Sequence, residues 1–243
     1  MAIIVFQHDP LEHAGRLGEV LRDEGHRLEI VELYDGDPVP VDLDNVDGVI
    51  SMGGPMDTDE KDRHAWMRAE LDFIKNAVDA KLPVVGICLG AQLLADACGG
   101  EVGKMERIEA GWAPVTSSFF GTVDPILAGI PWKTTQLHLH GCEVTTPPPG
   151  GTPAPLQSSE ACKCQVFKTG FNAYGFQHHF ELDRKGLTAV IDHARDWLAK
   201  HDVDADAILK ETEEHYGLWR HLGDRLCRNL ATLVFPIDKR QSA

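Results

Sequence analysis

The chain has 243 residues, 25% charged and 43% hydrophobic, a composition with enough length to fill one core and unlike that of a disordered or collagen-like polymer. Its 38 acidic and 23 basic residues leave a formal charge of −15, which argues against a sequence-independent nucleic-acid binder or a protein of anionic membrane surfaces and favours a small metabolite or a protein partner. Six scattered cysteines form no secreted-type disulfide framework, Met1 to Phe6 lacks a basic leader, and no apolar run approaches the roughly 18 residues of a membrane helix, so a cytoplasmic location with free thiols is expected.

The first hundred residues alternate short apolar runs with helical stripes, the habit of a parallel α/β sheet. Ala2 to Phe6 reads as a buried strand. Ala14, Leu17 and Leu21 recur at helical spacing, Gly25 stops that helix, and Leu28 to Leu33 forms a second strand. Val46 to Met52 is a third strand running into Gly53-Gly54-Pro55. Met67, Leu71, Ile74 and Val78 stripe the next helix, and Pro83 introduces a fourth strand, Val84 to Ile87. From Gly111 to Gly175 the pattern changes to alternation and turns: Trp112 to Ser117, Thr134 to His140 and Gln165 to Lys168 read as antiparallel strands added to the sheet or beside it. The Pro-rich stretch 147–155 reads as a stiff loop rather than an interdomain linker. Leu187, Val190, Ile191, Ala194, Trp197 and Leu198 then give an amphipathic helix capped by Asp183, and Leu222, Leu226, Leu230 and Leu233 a last one. The tail after Pro236 is expected to fray.

One segment carries chemistry openly. Pro83-Val84-Val85-Gly86-Ile87-Cys88-Leu89-Gly90-Ala91-Gln92 runs a buried strand through Gly-x-Cys-x-Gly into a helical pattern, the arrangement of a nucleophile elbow with cysteine in the serine position. Glycines on both sides are what a strained turn between a tightly approaching strand and helix requires. A thiol there stands at a helix N-terminus, a setting that suits a thiolate, and the N–H of Leu89 points where an oxyanion would develop. Cys98 and Cys227 read as core positions.

A cysteine nucleophile needs a base, and the base needs a group that fixes its tautomer. If Tyr174 to Leu182 is a strand, His179 and Glu181 project from one face while His178 and Phe180 project from the other. His179 is therefore the candidate base and Glu181 its orienter. A metal site is the rival constellation: His138-x-His140, His178-His179 and Cys162-x-Cys164 offer ligand types, but there is no Cys-x-x-Cys pair and no third ligand placed by sequence. No metal and no cofactor are expected, and no Gly-rich phosphate loop with a following Lys is present.

These residues resemble the class I glutamine amidotransferase superfamily over about Met1 to Leu198. Three blocks carry the likeness: Met52-Gly53-Gly54-Pro55, Gly86-Ile87-Cys88-Leu89-Gly90-Ala91-Gln92, and Gly175-Phe176-Gln177-His178-His179-Phe180-Glu181. The chain is most similar to stand-alone proteins that resemble the glutaminase domain of GMP synthase, and Ser158 to Phe167 matches a Ser-Ser-x-x-Cys-x-x-Gln-x-Phe block of that group, which makes Cys162 part of a structural motif. The resemblance implies a flavodoxin-like three-layer α/β sandwich, with a mostly parallel central sheet, added antiparallel strands and C-terminal helices. It implies an amidotransferase-like domain over 1–200 and a helical extension over 201–243 packed on it. It implies Cys88 as nucleophile, His179 as base, Glu181 as orienter, Gly54 and Leu89 as oxyanion donors, and Gly53, Gln92, His140, Gly141 and Cys142 around the substrate. Cys142 stands where many members have the Asp of Trp-His-Gly-Asp, in a loop that helps hold the amino-acid end of glutamine.

The implied activity is hydrolysis of the γ-glutamyl amide of glutamine through a γ-glutamyl thioester, with ammonia passed to an acceptor on a separate synthetase subunit. The alternatives are a stand-alone γ-glutamyl peptidase or hydrolase, favoured by the altered Cys142 loop, and a non-catalytic regulatory module on the same fold, disfavoured by the complete set of three residues. A small γ-glutamyl molecule is the expected ligand, with no nucleic acid and no membrane.

Overall fold

The computed structural model describes residues 1–236, so the predicted fraying of the tail falls outside the described residues. The chain opens with strand β1 (Ala2–Gln7), helix α1 (Gly15–Asp23), strands β2 (Leu28–Glu32) and β3 (Val46–Ser51), helix α2 (Ala65–Asp79), strand β4 (Val84–Ile87) and helix α3 (Leu89–Ala97). Strand β5 (Glu101–Ser117), helix α4 (Phe119–Val123) and strands β6 (Lys133–Thr146), β7 (Gln157–Ser158), β8 (Val166–Thr169) and β9 (Ala173–Phe176) follow. Helices α5 (Arg184–His193), α6 (Arg195–Lys200) and α7 (Ala205–Asn229) come last, and α7 runs into a π-turn at Leu230–Val234.

The nine strands among the described residues join one sheet in the order β2-β1-β3-β4-β9-β8-β7-β5-β6. Pairing is parallel from β2 to β9 and antiparallel from β9 to β6, so the predicted antiparallel segments extend the sheet. The alternation of β1 explains the layers. Ile3 and Val5 face one side, where they join Leu17 and Leu21 of α1 and Leu226 of α7; Ile4 and Phe6 face the other, with Met67 and Ile74 of α2 and Leu93 of α3. Both faces of a parallel sheet are thereby covered by helices, which is why these strands read as continuous apolar runs. A third cluster joins α5 and α7 around Leu187, Ile191, Tyr216 and Trp219.

Four elements differ from their predicted bounds, the first being β6, which runs on from the predicted His140 to Thr146 as the partner of the first half of β5. Strand β5 begins at Glu101, before the predicted Trp112, because its first half carries Glu101, Lys104, Glu106 and Arg107 on a largely exposed ribbon whose partner is β6 alone. The predicted helix over Leu187 to Leu198 divides at Ala194 into α5 and α6. Helix α7 starts well before Leu222, at a cap where the Asp204 carboxylate accepts from the N–H of Asp206.

Four loops leave the carboxyl ends of the adjacent parallel strands β1, β3, β4 and β9 and converge on one place. Ligands of open α/β sheets bind at such strand ends.

Candidate active site

Cys88 connects β4 to α3 with φ 52° and ψ −111°, the strained conformation expected of an elbow. The corner is closed by contact. A Cβ on Gly86 would stand 2.3 Å from the carbonyl oxygen of Gly90, and one on Gly90 would stand 2.0 Å from the carbonyl oxygen of Ser51. No other residue fits either position. The Cys88 N–H donates to the Phe176 carbonyl at 2.8 Å, tying the elbow to β9, and the Gly90 N–H donates to the Met52 carbonyl at 3.0 Å, tying it to β3. Leu89 opens α3, so its N–H has no acceptor within the helix. The Gly53-Gly54 turn lies against this end: a Cβ on Gly54 would come 3.0 Å from Leu89 Cδ2.

His179 and Glu181 reach the elbow differently from the sequence reading. Strand β9 ends at Phe176, and beyond it His179 makes only an isolated bridge, its N–H donating to the Leu137 carbonyl at 3.0 Å. The segment 177–182 is therefore not a strand. Its turns are pinned by other means: the Arg16 N–H at the start of α1 donates to the Glu181 carbonyl at 2.8 Å, and Trp219 Nε1 of α7 donates to the His179 carbonyl at 3.2 Å. The two side chains still meet, with His179 Nδ1 donating to Glu181 Oε1 at 2.7 Å while Glu181 Oε2 accepts the Phe180 N–H at 2.8 Å. This fixes the imidazole with Nε2 free of protein partners other than the Cys88 thiol, which bears on the ring closely enough to strengthen its hold on a proton. Against the opposing effect of burial, the Glu181 and Glu12 carboxylates and then the thiol hold His179 well above its ordinary pKa, and the imidazole in turn holds Glu181 below the usual carboxylate value. His178 faces Gln157 instead, and burial pushes its pKa down to about 3.

A cavity of about 580 Å³ opens over Cys88, the size range of small-molecule sites. Its walls include Gly54, Leu89, Gln92, His140, Gly141 and Cys142, so most of the residues expected around the substrate share it with the thiol. Gln92 is anchored by its own amide, which donates to the Cys142 carbonyl at 3.1 Å and to Gln177 Oε1 at 3.2 Å. His140 is held from both sides, by the Cys142 carbonyl at 2.9 Å from Nδ1 and by Glu109 Oε2 at 3.0 Å from Nε2. The Cys142 thiol donates to Asp57 Oδ1 at 3.4 Å; burial and that carboxylate push its pKa up to about 12, so it serves as a neutral donor. Among the other thiols, Cys227 is buried as expected, but Cys98 is half-buried, which corrects its assignment to the core. The Ser159 hydroxyl accepts the Cys162 N–H at 2.9 Å, a structural turn.

Two features of the site were not visible in sequence. Glu109 supplies the carboxylate that the His138-x-His140 pair lacked, with donor-type atoms of the three residues within 4.8 Å of one another. Its Oε2 already accepts from His140 and, at 2.6 Å, from Gln165 Nε2; against the opposing effect of burial, the His140 hydrogen bond and the neighbouring His138 hold Glu109 at a pKa of about 2. Glu109 braces the His140 loop through these hydrogen bonds, with His138 Nδ1 3.5 Å from the same carboxylate oxygen. The second is Glu12, in the loop after β1, which lines the cavity beside Gly54 and Cys88; an acidic residue following a buried parallel strand was the available signal.

A family model described as glutamine amidotransferase class-I matches residues 15–189. The chain belongs to this family. Its amidotransferase relatives include the glutamine amidotransferase-like protein YfeJ of Salmonella typhimurium, 32% identical over 96% of this chain and 97% of that one. A glutamine-hydrolysing GMP synthase subunit of Natronomonas pharaonis is 33% identical over 74% of this chain and 87% of its own, and γ-glutamyl peptidase 3 of Arabidopsis thaliana is 27% identical over 85% and 83%. The amidotransferase fold is shared with the crystal structure of a glutamine amidotransferase from Thermotoga maritima, at a TM-score of 0.83 with 22% identity, covering 96% of this chain and 98% of that chain. Among the described residues no helix is long and apolar enough to cross a membrane.

Proposed function

We propose that the protein is a cysteine-dependent hydrolase of γ-glutamyl amides, with Cys88 as nucleophile, His179 as base and acid, and Glu181 as orienter. The observation that carries this reading is the strained Cys88 elbow, whose thiol lines a ligand-sized cavity and acts on the buried His179–Glu181 pair behind it. The Cys88 thiolate attacks the γ-carbonyl, and the Leu89 and Gly54 N–H groups receive the oxyanion. His179 gives its proton to the leaving nitrogen, and a γ-glutamyl thioester remains. Water activated by the same ring then releases glutamate and regenerates the thiol. Gln92, His140, Gly141 and Cys142 shape the acyl pocket, whereas Gly53, expected beside the substrate, lies behind the cavity wall against Glu12 and His179.

Glutamine is the first substrate to test, with ammonia delivered to a separate synthetase, as the likeness to a GMP synthase component suggests. Hydrolysis of a γ-glutamyl peptide is the second reading. It is favoured by the neutral Cys142 thiol in the acyl-pocket loop and by the likeness to a γ-glutamyl peptidase. Incubating the purified protein with glutamine and, separately, with a γ-glutamyl dipeptide, and measuring glutamate and ammonia, decides between them. The Cys88→Ala protein must retain its melting temperature and lose all turnover; turnover by that variant would refute the role of the thiol.

A further inference from the structure

The mechanism uses one of the two buried carboxylates that face His179. Glu12, Glu181 and His179 each bring an atom to within 4.8 Å of the others, and all three side chains are buried. Glu181 is hydrogen-bonded to Nδ1, whereas Oε2 of Glu12 is buried with no hydrogen-bond partner among the described residues. Burying a carboxylate oxygen without a donor is costly, so its retention against an imidazole calls for an explanation. Gly53 makes room for it. A Cβ at that position would stand 2.5 Å from Glu12 Oε2 and 3.3 Å from His179 Cε1, so only a missing side chain lets carboxylate and ring approach each other.

We propose that Glu12 is a positioning residue for the hydrolytic reaction, a second carboxylate that stabilises the imidazolium formed when Cys88 passes its proton to His179. The inference rests on the reading of Cys88 and His179 as nucleophile and base. Moving that proton leaves net charge unchanged but creates a thiolate and an imidazolium, and a negative charge held against the ring favours the separated pair. Glu181 acts on the ring through its hydrogen bond to Nδ1. Glu12 acts through space, and its charge is among the influences that raise His179. The opposing forces are equally clear: burial, Glu181 and Asp9 all push Glu12 toward its neutral form, and the charge on His179 pulls it back. The three groups therefore titrate as a unit. Protonating Glu12 removes its contribution, and as the pH rises it is drawn into the anion by the same imidazolium that it stabilises.

The other groups around this unit leave that logic intact. His8 is bonded to Glu70 at 2.9 Å and to the Gly53 carbonyl at 3.1 Å. His138 and His178, which also act on His179 or its neighbours, are pushed by burial to about 4 and about 3 and are neutral where the reaction would run. Asp9 on the Glu12 loop and Cys88 at the elbow complete the set.

The test is the rate of Cys88 alkylation by iodoacetamide from about pH 5 to about pH 9, read by intact-protein mass against a Cys88→Ala blank. It compares wild type, Glu12→Gln, Glu181→Gln and His179→Ala, with melting temperatures taken in parallel. The expected result is that Glu12→Gln and wild type converge in acid and separate toward neutral pH, where the variant reacts about three- to tenfold more slowly. A Glu12→Gln curve that overlies wild type while His179→Ala differs overturns the role of Glu12 and leaves the Cys88–His179 pair standing. Slowing by one factor at every pH, with a lowered melting temperature, also overturns it, because that is what loosened packing produces. If His179→Ala itself overlies wild type, the nucleophile and base reading falls and takes this inference with it.

Discussion

On the proposed reading His179 serves as base and acid only while its proton affinity is tuned, and Glu181 is the residue bonded to its Nδ1. Replacing Glu181 by Gln keeps a hydrogen-bond acceptor but removes the charge that raises the ring. The sign follows directly. Losing that charge lowers the pKa of His179, so the protonated form needed by the leaving nitrogen disappears at a lower pH. Glu181→Gln should therefore keep partial activity, with the alkaline limb of its kcat/KM profile displaced toward acid. A profile identical to wild type would make Glu181 a bystander. The pairing of His179 with Glu181 was legible in sequence because residues two apart share a face in any extended backbone, even though the segment is not a strand. Glu12 and Glu109 were not legible, since each meets its partners only through long-range chain crossing.

The elbow is an element whose sequence and shape determine each other. Gly-x-Cys-x-Gly could be recognised because no other residue fits where α3 approaches β3 and β4, and the close approaches at Gly86 and Gly90 bear that out. Gly90→Ala would place its Cβ 2.0 Å from the Ser51 carbonyl oxygen, a backbone clash with no side chain able to yield. We expect that variant to lose about 3 kcal/mol or more of stability, measured by denaturant melting. Gly217 provides the contrast. It sits on the exposed face of α7 with no atom within 4 Å of an added Cβ, so Gly217→Ala should raise stability by about 0.5 to 1 kcal/mol through helix propensity alone. Equal effects from the two changes would show that the elbow is not held by close approach. Strands β1, β3 and β4 were legible for a related reason: buried on both faces, they are continuous apolar runs. The first half of β5 was not, because exposed residues there carry no periodic signal, whereas the start of α7 did carry one, in Ala205, Ile208, Thr212, Tyr216 and Trp219 at helical spacing, although the predicted helix began only at Leu222.

At the scale of the molecule, the family match ends at residue 189, while α7 lies beyond it and still supports the site. Arg16 is the joint. Its guanidinium is buried and donates to the carbonyls of Phe180 and Leu182 on the loop that carries His179 and Glu181, and to the Arg220 carbonyl and the Asp224 carboxylate of α7, while it lies 5.0 Å from the centre of the Trp219 ring. One side chain thus ties α1, the His179 loop and α7 together, and we infer that the helical extension belongs mechanically to the catalytic body. Arg16→Met would fill similar space but leave several buried acceptors without donors, at a cost of about 3 to 5 kcal/mol. Arg195 offers a matched control, since its pairs with Asp192 and Asp206 are exposed and screened by water, and Arg195→Met should leave the melting temperature unchanged. Turnover should follow the same division, falling in Arg16→Met even below its melting transition because the His179 carbonyl loses the support that Trp219 gives it. Full activity in a folded Arg16→Met protein would mean that the loop holds its geometry without α7, and that the extension is a separable addition.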